Sequence, residues 1–323
     1  MREVTLVVQN IGRGAGALDA HPGMPREMIG AQRWPMLVER LKTVTWTEPD
    51  GTATTVTPAL VALNECEGWD WARLETAAAD LGLQPLGICT EGSGNAPAML
   101  YDPAQFGADA EWFTKHSNSS HHGLGLAGFA VPGLPDGKRL GVCVSHLTPF
   151  DPDAAKSEAH LVACRAYRYG GYAVALGDFN YLPLVGRHSY DTGPMTAYNW
   201  ANRFHFPRAF YWQPTGRIGR AIRSMLLKVQ RPRPNLKVAK AFHAMRLGDA
   251  AALMYQRTRN KQYLAWTCPS MRIDWICLSP ALAEALVDYQ VITSPEWASD
   301  HHAVAVRLDL DRIDHAKANW DYH

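Results

Sequence analysis

Polar side chains that could bind a cation or a phosphate follow a short apolar run near the middle of the chain. The run spans residues 174–176, Gly177 ends it, and Asp178 and Asn180 come next. Residues two apart on extended backbone point to the same side, so we expect the Asp178 carboxylate and the Asn180 amide to face one site. Gly177 predicts a close or unusual backbone approach at the strand end. An Asx-turn that only closes the strand is the alternative interpretation.

Other strand-like segments also end in polar residues of the same chemical kind. These residues are Asn10, Glu65, His146, and Asp300 with His301. Oxygen ligands from Asn10, Glu65 and Asp300 would suit a hard cation such as Mg²⁺ or Mn²⁺. Zinc is disfavoured, because no cluster of His and Cys has its spacing. The sequence therefore predicts a magnesium or manganese site.

The remaining candidate residues supply proton transfer and contacts to a phosphate. Asp274 lies inside the apolar segment 272–276, where a charge is costly unless it is paired, so a histidine partner is expected. His146 and His301 could contact a phosphate or shuttle protons. Asp178 and Asn180 could activate and orient a water. Together the residues predict metal-assisted hydrolysis of a phosphate ester.

Many strands with irregularly interspersed helices must position these residues. Apolar runs predict strands at 3–10, 59–63, 86–89, 96–101, 124–131, 140–145, 174–176, 271–278, 289–292 and 303–308. Helices are predicted at about 31–42, 69–81, 151–169, 218–230, 237–257 and 280–287, and a small hairpin at 45–57. This order favours a mixed α/β protein. A dinucleotide-binding fold is disfavoured, because the glycines at 12–16 lack the required spacing.

Composition bounds the class of protein. The chain has 323 residues, of which 47% are hydrophobic and 20% charged, as in a globular protein with a sizeable core. Its six cysteines show no CxxC pattern, which favours reduced thiols. No apolar stretch approaches the ~20 residues that span a bilayer, and residues 1–4 do not resemble a leader peptide. We therefore expect a cytoplasmic protein without a membrane span.

The basic residues are concentrated in one segment. Fourteen of the 32 lysines and arginines, but one of the 31 acidic residues, lie between Arg203 and Lys261. Such asymmetry predicts contact with a polyanion. A solvated helical face is the alternative, since charge runs often only make a surface soluble.

Six fragments, read in order, resemble the signature of the endonuclease/exonuclease/phosphatase superfamily. They are Gln9-Asn10-Ile11, Leu63-Asn64-Glu65, Ser145-His146-Leu147, Gly177-Asp178-Phe179-Asn180, Arg272-Ile273-Asp274-Trp275-Ile276 and Ser299-Asp300-His301. The resemblance implies a four-layer α/β sandwich, with two mixed β-sheets packed face to face and helices outside. It also implies one domain over residues 1–310, with a basic, partly helical insertion at about 200–262 and a polar tail at 311–323.

The resemblance assigns the metal and the water to named residues. Asn10 and Glu65 would hold the catalytic divalent ion, with Asp300 nearby. Asp178 would orient or deprotonate the attacking water, and Asn180 would hold the scissile phosphate.

The resemblance also assigns the histidines. His301, oriented by Asp274, would contact the phosphate or act as the general base, and His146 would stabilise developing charge or assist the leaving group. Deoxyribonuclease-type members often pair the histidine equivalent to His146 with a glutamate, where this chain reads Gly94-Asn95-Ala96-Pro97. Abasic-site enzymes carry a tyrosine in place of His146.

Three functions are compatible with this set of residues. The favoured one is a metal-dependent phosphodiesterase that hydrolyses nucleic acid, because the basic segment accompanies the signature. The second is a phosphatase or phosphodiesterase for a small phosphorylated metabolite or lipid head group. The third is a non-catalytic protein that binds polyanions through its basic surface.

Overall fold

A computed structural model describes residues 2–16, 30, 32–89, 94–186, 203–205, 212, 214–229, 233–269 and 271–318. Two six-stranded mixed sheets form the centre of this part of the chain. The first sheet has the order β15 (Leu286–Ile292), β16 (Ala303–Asp309), β1 (Glu3–Asn10), β4 (Leu60–Asn64), β6 (Ala98–Tyr101) and β5 (Gln84–Ile88). Strands β1 and β4 are parallel, so their carboxyl ends meet at one edge.

The second sheet repeats this arrangement. Its order is β13 (Gly248–Asp249), β14 (Asp274–Leu278), β10 (Ala173–Asp178), β9 (Leu140–Ser145), β8 (Leu124–Phe129) and β7 (Ala110–Phe113). Strands β9 and β10 are parallel, and β14 runs antiparallel to β10 with Asp274 opposite Asp178. Each sheet thus delivers polar residues from a central parallel pair.

Alternating side chains divide the core into three layers. Leu6 and Val8 point into the space between the sheets, where they join Leu176 and Ile276 of the second sheet in one cluster. Val7, between them, faces the opposite way and packs with the helices that cover the first sheet. Both faces of the central strands are buried, which explains their continuous apolar sequences.

Helices cover the two outer faces. Against the first sheet lie α1 (Trp34–Leu41) and α2 (Trp71–Leu81), and against the second lie α4 (Pro152–Ala166) and α6 (Lys237–Ala244). The remaining helices are α3 (Pro103–Phe106), α5 (Arg217–Val229), α7 (Ala250–Thr258) and α8 (Pro280–Ala283). The architecture is the predicted four-layer α/β sandwich.

Two short antiparallel strand pairs complete the described sheets. Strands β2 (Val44–Thr47) and β3 (Ala53–Val56) pair antiparallel, as predicted for 45–57, and β11 (Phe204–His205) pairs with β12 (Arg233–Pro234). All six cysteines are free thiols. None of the helices in the described ranges combines the length and apolar character that a bilayer crossing requires.

Several elements differ from the sequence-based expectation. The helix predicted over 237–257 is two helices, because Arg246 adopts a left-handed φ of 59° and the Asp249 carboxylate starts α7 by accepting from the Ala251 amide. The helix predicted over 280–287 ends at Ala283, since Leu286 already belongs to β15. The edge strand β7 was not predicted.

The second half of the basic segment packs into the sandwich. Val238 and Phe242 of α6 join the outer cluster of the second sheet, and Ala250 and Met254 of α7 join the cluster between the sheets. Residues 187–202 lie outside the described residues. The division into one domain over 1–310, an insertion at about 200–262 and a tail at 311–323 stays a prediction.

Candidate active site

The carboxyl ends of the two parallel strand pairs meet at one edge of the sandwich. Asn10 ends β1, and Glu65 directly follows β4 beside it. The Asn10 amide nitrogen donates to Glu65 Oε1 at 2.9 Å and to Asp178 Oδ2 at 3.0 Å. One amide therefore connects a carboxylate of the first sheet with a carboxylate of the second.

Gly177 is required for the backbone path that delivers Asp178. Its φ is 151°, and a Cβ atom there would lie 1.8 Å from the carbonyl oxygen of Ser145 on β9. The prediction of a close backbone approach at Gly177 is confirmed. The Asp178 amide then donates to Asn64 Oδ1 at 2.9 Å, which ties β10 to the first sheet.

Two site residues have left-handed backbone. Glu65 and Asn180 both have a φ of 59°. For glutamate this conformation costs on the order of 1–3 kcal/mol, whereas asparagine adopts it more readily. Hydrogen bonds hold both residues in this conformation. The backbone amide of Arg13 donates to Glu65 Oε2, and the backbone amide of Asn180 donates to Asp178 Oδ1.

Asp274 has the histidine partner that its burial predicted. His301 Nδ1 lies 2.9 Å from Asp274 Oδ2 and 3.1 Å from Oδ1. The Asp274 amide donates to the Thr267 hydroxyl at 3.1 Å, which fixes the start of β14. The other ring nitrogen, His301 Nε2, points toward Asp178 and lies 3.8 Å from its Oδ2.

The buried charges set the protonation of this group. Burial alone lowers the pKa of His301, but the negative charges of Asp274 and Asp178 outweigh it and raise that pKa well above its usual value. Burial would raise the pKa of Asp178, yet His301, His146 and Arg203 together lower it. Burial raises the pKa of Asp274 to about 6, against the opposing effect of His301. At neutral pH the site therefore holds two carboxylates and an imidazolium.

His146 approaches Asp178 from the other side. Its Nε2 lies 3.5 Å from Asp178 Oδ2, and its ring stacks on His122 with a centroid separation of 4.3 Å. Burial, followed by the charge of His146, lowers the pKa of His122 to about 3, so His122 stays neutral. Within the described part of the chain, buried His146 Nδ1 has no hydrogen-bond partner. Residues 94–97 contain no glutamate that could pair with His146, as deoxyribonuclease-type proteins often have. Asn95 lies there and lines a cavity that His146 also lines.

The donor atoms fit a divalent cation. Oxygen or nitrogen atoms of Glu65, His146 and Asp178 all lie within 4.8 Å of one another, and so do those of Asp178, Asp274 and His301. The Asn10 oxygen accepts from the Gly12 amide at 3.0 Å, so its nitrogen faces the carboxylates. Asn10 thus joins the two acids in this structure, and its role as a metal ligand stays a prediction.

Asp300 stands at the rim of the site. It is exposed and lines the same 750 Å³ cavity as Glu65, Asp178 and His301. Neither cluster of metal-binding groups among the described residues includes it. Arg33, which the sequence did not single out, lies close enough to Asp300 and Glu65 for their charges to oppose the lowering of its pKa by burial.

Sequence reasoning missed the role of Arg203 at the site. This buried side chain donates from Nε to the Asn180 carbonyl at 2.7 Å and from Nη2 to Asn180 Oδ1 at 2.6 Å. Asn180 Nδ2 in turn donates to the Leu147 carbonyl at 2.8 Å. Arg203 was recognised only as the first member of the basic segment, since nothing in the sequence indicates that its guanidinium is buried.

Comparison with known proteins supports the fold. No protein-family model and no curated protein matches the sequence. Several solved structures do match the fold. A 3′ phosphatase, NExo, from Neisseria, bound to product DNA hairpin, is 15% identical, with 95% of this chain and 99% of that chain covered and a TM-score of 0.54.

Two further structures show the same fold. An AP endonuclease from Archaeoglobus fulgidus is 14% identical over 95% of this chain and 99% of its own, with a TM-score of 0.51. An endonuclease/exonuclease/phosphatase family protein from Bacteroides thetaiotaomicron is 15% identical over 95% and 97% of the two chains, with a TM-score of 0.50. This chain thus has the fold of those proteins along almost its whole length.

Proposed function

We propose that this chain, which has the fold of the endonuclease/exonuclease/phosphatase superfamily, is a metal-dependent phosphoesterase. The observation that carries the proposal is the position of the Asp178 carboxylate. Its Oδ2 accepts from Asn10, which also bonds Glu65, and lies 3.5 Å from His146 Nε2 and 3.8 Å from His301 Nε2. A group of this composition combines a cation site with an acid and a base, which phosphate ester hydrolysis requires.

Mg²⁺ or Mn²⁺ fits the oxygen-rich side of the group. The carboxylates of Glu65 and Asp178 have oxygen donors within 4.8 Å of one another, and Asn10 and Asp300 are proposed as additional ligands. When bound, the ion would neutralise charge on the phosphoryl oxygens.

The protonation states of Asp178 and His301 indicate different roles for the two side chains. The raised pKa of His301 keeps it protonated at neutral pH, so its Nε2–H is suited to donate to a phosphate oxygen. Asp178 has a lowered pKa and stays ionised, so it orients the attacking water and accepts a hydrogen bond from it. Asp274 acts through His301, because it holds the ring by Nδ1 and supplies the charge that keeps it protonated.

The other polar residues are assigned to the phosphate and the leaving group. His146 faces the same carboxylate from the opposite side and is proposed to assist the leaving group. Asn180 is proposed to hold the scissile phosphate: one hydrogen of its Nδ2 goes to the Leu147 carbonyl, and the second is available. Arg203 fixes the orientation of this amide.

Nucleic acid is the substrate class we propose. Fourteen basic residues and one acid lie between Arg203 and Lys261, and Arg203 carries that segment into the site. The Neisseria phosphatase with the same fold was solved with a product DNA hairpin. A small phosphorylated metabolite or lipid head group is the second candidate, favoured by the 750 Å³ cavity. Six free cysteines support the cytoplasm as the compartment.

A substrate panel tests the proposal. Purified protein is incubated with plasmid DNA, single-stranded DNA, RNA and a set of small phosphate esters, each with Mg²⁺, with Mn²⁺ and with EDTA. We expect cleavage of at least one polymer that EDTA abolishes. Turnover confined to small esters would select the second candidate. Binding of polymers without hydrolysis of any substrate would select a non-catalytic polyanion-binding protein and overturn the proposal.

A further inference from the structure

Helix α5 (Arg217–Val229) presents an apolar stripe to solvent. Ile218, Ile222 and Met225 recur at intervals of four and three residues, so they share one face of the helix. Their exposed fractions are 78%, 44% and 61%. An isolated exposed apolar side chain needs no explanation, whereas three in register on one helix mark an interaction surface.

The surface of α5 outside this stripe is basic. Arg217, Arg220 and Arg223 lie there, and the first turn of the helix contains no acid. No aspartate or glutamate occurs in the sequence from Arg203 to Gly248. We refer to Ile218, Ile222 and Met225 with Arg217 and Arg220 as the α5 surface.

The α5 surface takes no part in the packing of the sandwich. None of its residues belongs to the four hydrophobic clusters formed by the described residues. Helix α6, which follows in the same basic segment, buries Val238 and Phe242 against the second sheet. The exposed stripe is therefore a property of α5 and does not extend to the whole segment.

Trp212 is a further exposed aromatic residue, close to the helix in sequence. It precedes α5 by five residues and is 42% exposed. Tryptophan prefers the boundary between lipid head groups and acyl chains, because its ring is apolar and its N–H is polar. Apolar and aromatic side chains beside a basic face are typical of helices that lie in the plane of a membrane interface.

We propose that the α5 surface binds anionic phospholipid membranes. The apolar stripe would enter the head-group boundary, and the arginines would contact lipid phosphates and anionic head groups. Nucleic acid would satisfy the arginines but would leave the stripe of Ile218, Ile222 and Met225 in water. An anionic bilayer offers acyl chains to the stripe and phosphates to the arginines, whose long side chains can reach the head groups from beside the stripe. This interaction goes beyond the proposed hydrolysis and does not depend on it.

The test is sedimentation of the full-length protein with vesicles. Vesicles of phosphatidylcholine with about 30% phosphatidylserine have an anionic surface. They are compared with vesicles of phosphatidylcholine alone. We expect binding to the anionic vesicles that weakens as salt is raised, with little binding to the neutral ones.

Two sets of variants separate the apolar stripe from the arginines. The double substitution Ile218→Ser with Met225→Ser removes apolar area and should weaken binding to anionic vesicles roughly tenfold or more. Arg217→Glu with Arg220→Glu should lower affinity by roughly fivefold or more for each basic side chain lost and reduce the salt dependence. Trp71→Ser is the matched control, since Trp71 is exposed on α2, and it should bind as the unsubstituted protein does.

The outcomes distinguish this proposal from the proposed hydrolysis. Asp178→Asn should sediment with anionic vesicles as the unsubstituted protein does, because the site is not used for binding. No sedimentation with anionic vesicles would overturn the proposal even if hydrolysis is observed. Binding that is lost in the arginine variant but kept in the Ile218/Met225 variant would also overturn it, and would assign the helix to a polyanion such as nucleic acid.

Discussion

His301 Nδ1 lies 2.9 Å from Asp274 Oδ2, and Asp274 stands directly opposite Asp178 in the register of β14 with β10. His301 comes from the loop before β16 in the first sheet, so the pair joins the two sheets at the edge that carries the candidate site. The arrangement places a charged histidine between two buried carboxylates, and its ring nitrogens face one carboxylate each.

The substitution Asp274→Asn keeps the shape of the partner and removes its charge. Asp274 raises the pKa of His301, so that pKa should fall, and the imidazolium should be lost at lower pH than in the unsubstituted protein. We expect kcat/KM to fall roughly 10²- to 10⁴-fold, as for loss of a positioned acid. The alkaline limb of the pH–rate profile should move toward lower pH. A limb that stays in place would contradict the role assigned to His301.

Arg203 should act through Asn180. Arg203→Lys keeps the charge but cannot form the two-point contact with the Asn180 carbonyl and Oδ1, so Asn180 loses its fixed orientation. We expect kcat/KM to fall roughly 10- to 100-fold, with a small change in melting temperature. Arg233→Lys, at an exposed arginine of β12, is the control and should have no effect. Equal kcat/KM values for the two variants would contradict the role assigned to Arg203.

The buried Arg272–Asp249 pair should dominate the stability of the region behind the site. Arg272 is completely buried and donates to both Asp249 oxygens, at 2.9 Å and 2.5 Å. Asp249→Ala would leave this guanidinium uncompensated and should lower the free energy of unfolding by about 3–5 kcal/mol. Chemical denaturation measures the change.

A surface pair provides the comparison for that measurement. Lys237 and Asp153 make an ion pair of 2.7 Å with both side chains substantially exposed. Asp153→Ala should change the stability far less than Asp249→Ala, because water and salt screen an exposed pair. Comparable losses in the two variants would show that burial of the Arg272 pair is not the cause.

His122 should make the fold less stable in acid. Its pKa is about 3 in the folded protein, below the ordinary 6.5, so the unfolded chain binds the proton more tightly. The free energy of unfolding should therefore be unaffected above pH 6.5 and should fall as the pH drops from 6.5 toward 3. Each pKa unit is worth about 1.4 kcal/mol, so the fall of the His122 pKa from 6.5 to about 3 corresponds to roughly 5 kcal/mol between those two pH values.

His122→Phe isolates that contribution. Phenylalanine can keep the stacking on His146 and cannot be protonated, so stability should decline less steeply with acid than in the unsubstituted protein. Denaturation curves between about pH 4 and pH 8, which bracket the usual histidine pKa, should show the difference. Identical slopes in the two proteins would contradict the assignment.

Much of the fold and site could be predicted because the informative signals are local. Apolar runs predicted β1 at its observed bounds and β10 to within two residues, since β10 continues through Gly177 to Asp178, and Asp151 with Pro152 marked the start of α4. The polar residues that follow those strands converge because parallel neighbours end at the same edge. The histidine partner of Asp274 was predicted from the free-energy cost of burying a carboxylate, because such a group requires a counter-charge.

The remainder depends on tertiary contacts that no local pattern encodes. The guanidinium of Arg203 is buried against Asn180, although its neighbours in sequence suggested a surface. The orientation of the Asn10 amide depends on Gly12 and on two acids from different sheets. Strand β7 is four residues long and lies at a sheet edge. None of its side chains is fully buried, so its sequence lacks the apolar run that identifies the central strands.

Hydrolysis of bis(p-nitrophenyl) phosphate tests the central claim most directly, because this diester does not depend on knowing the natural substrate. Initial rates are measured with Mg²⁺ or Mn²⁺, after EDTA, after restoring the metal, and with Asp178→Asn. We predict hydrolysis that EDTA abolishes, that added metal restores, and that Asp178→Asn slows by roughly 10³-fold or more. Hydrolysis that survives EDTA, or that Asp178→Asn leaves unchanged, would contradict the assignment of this site as a metal-dependent phosphoesterase.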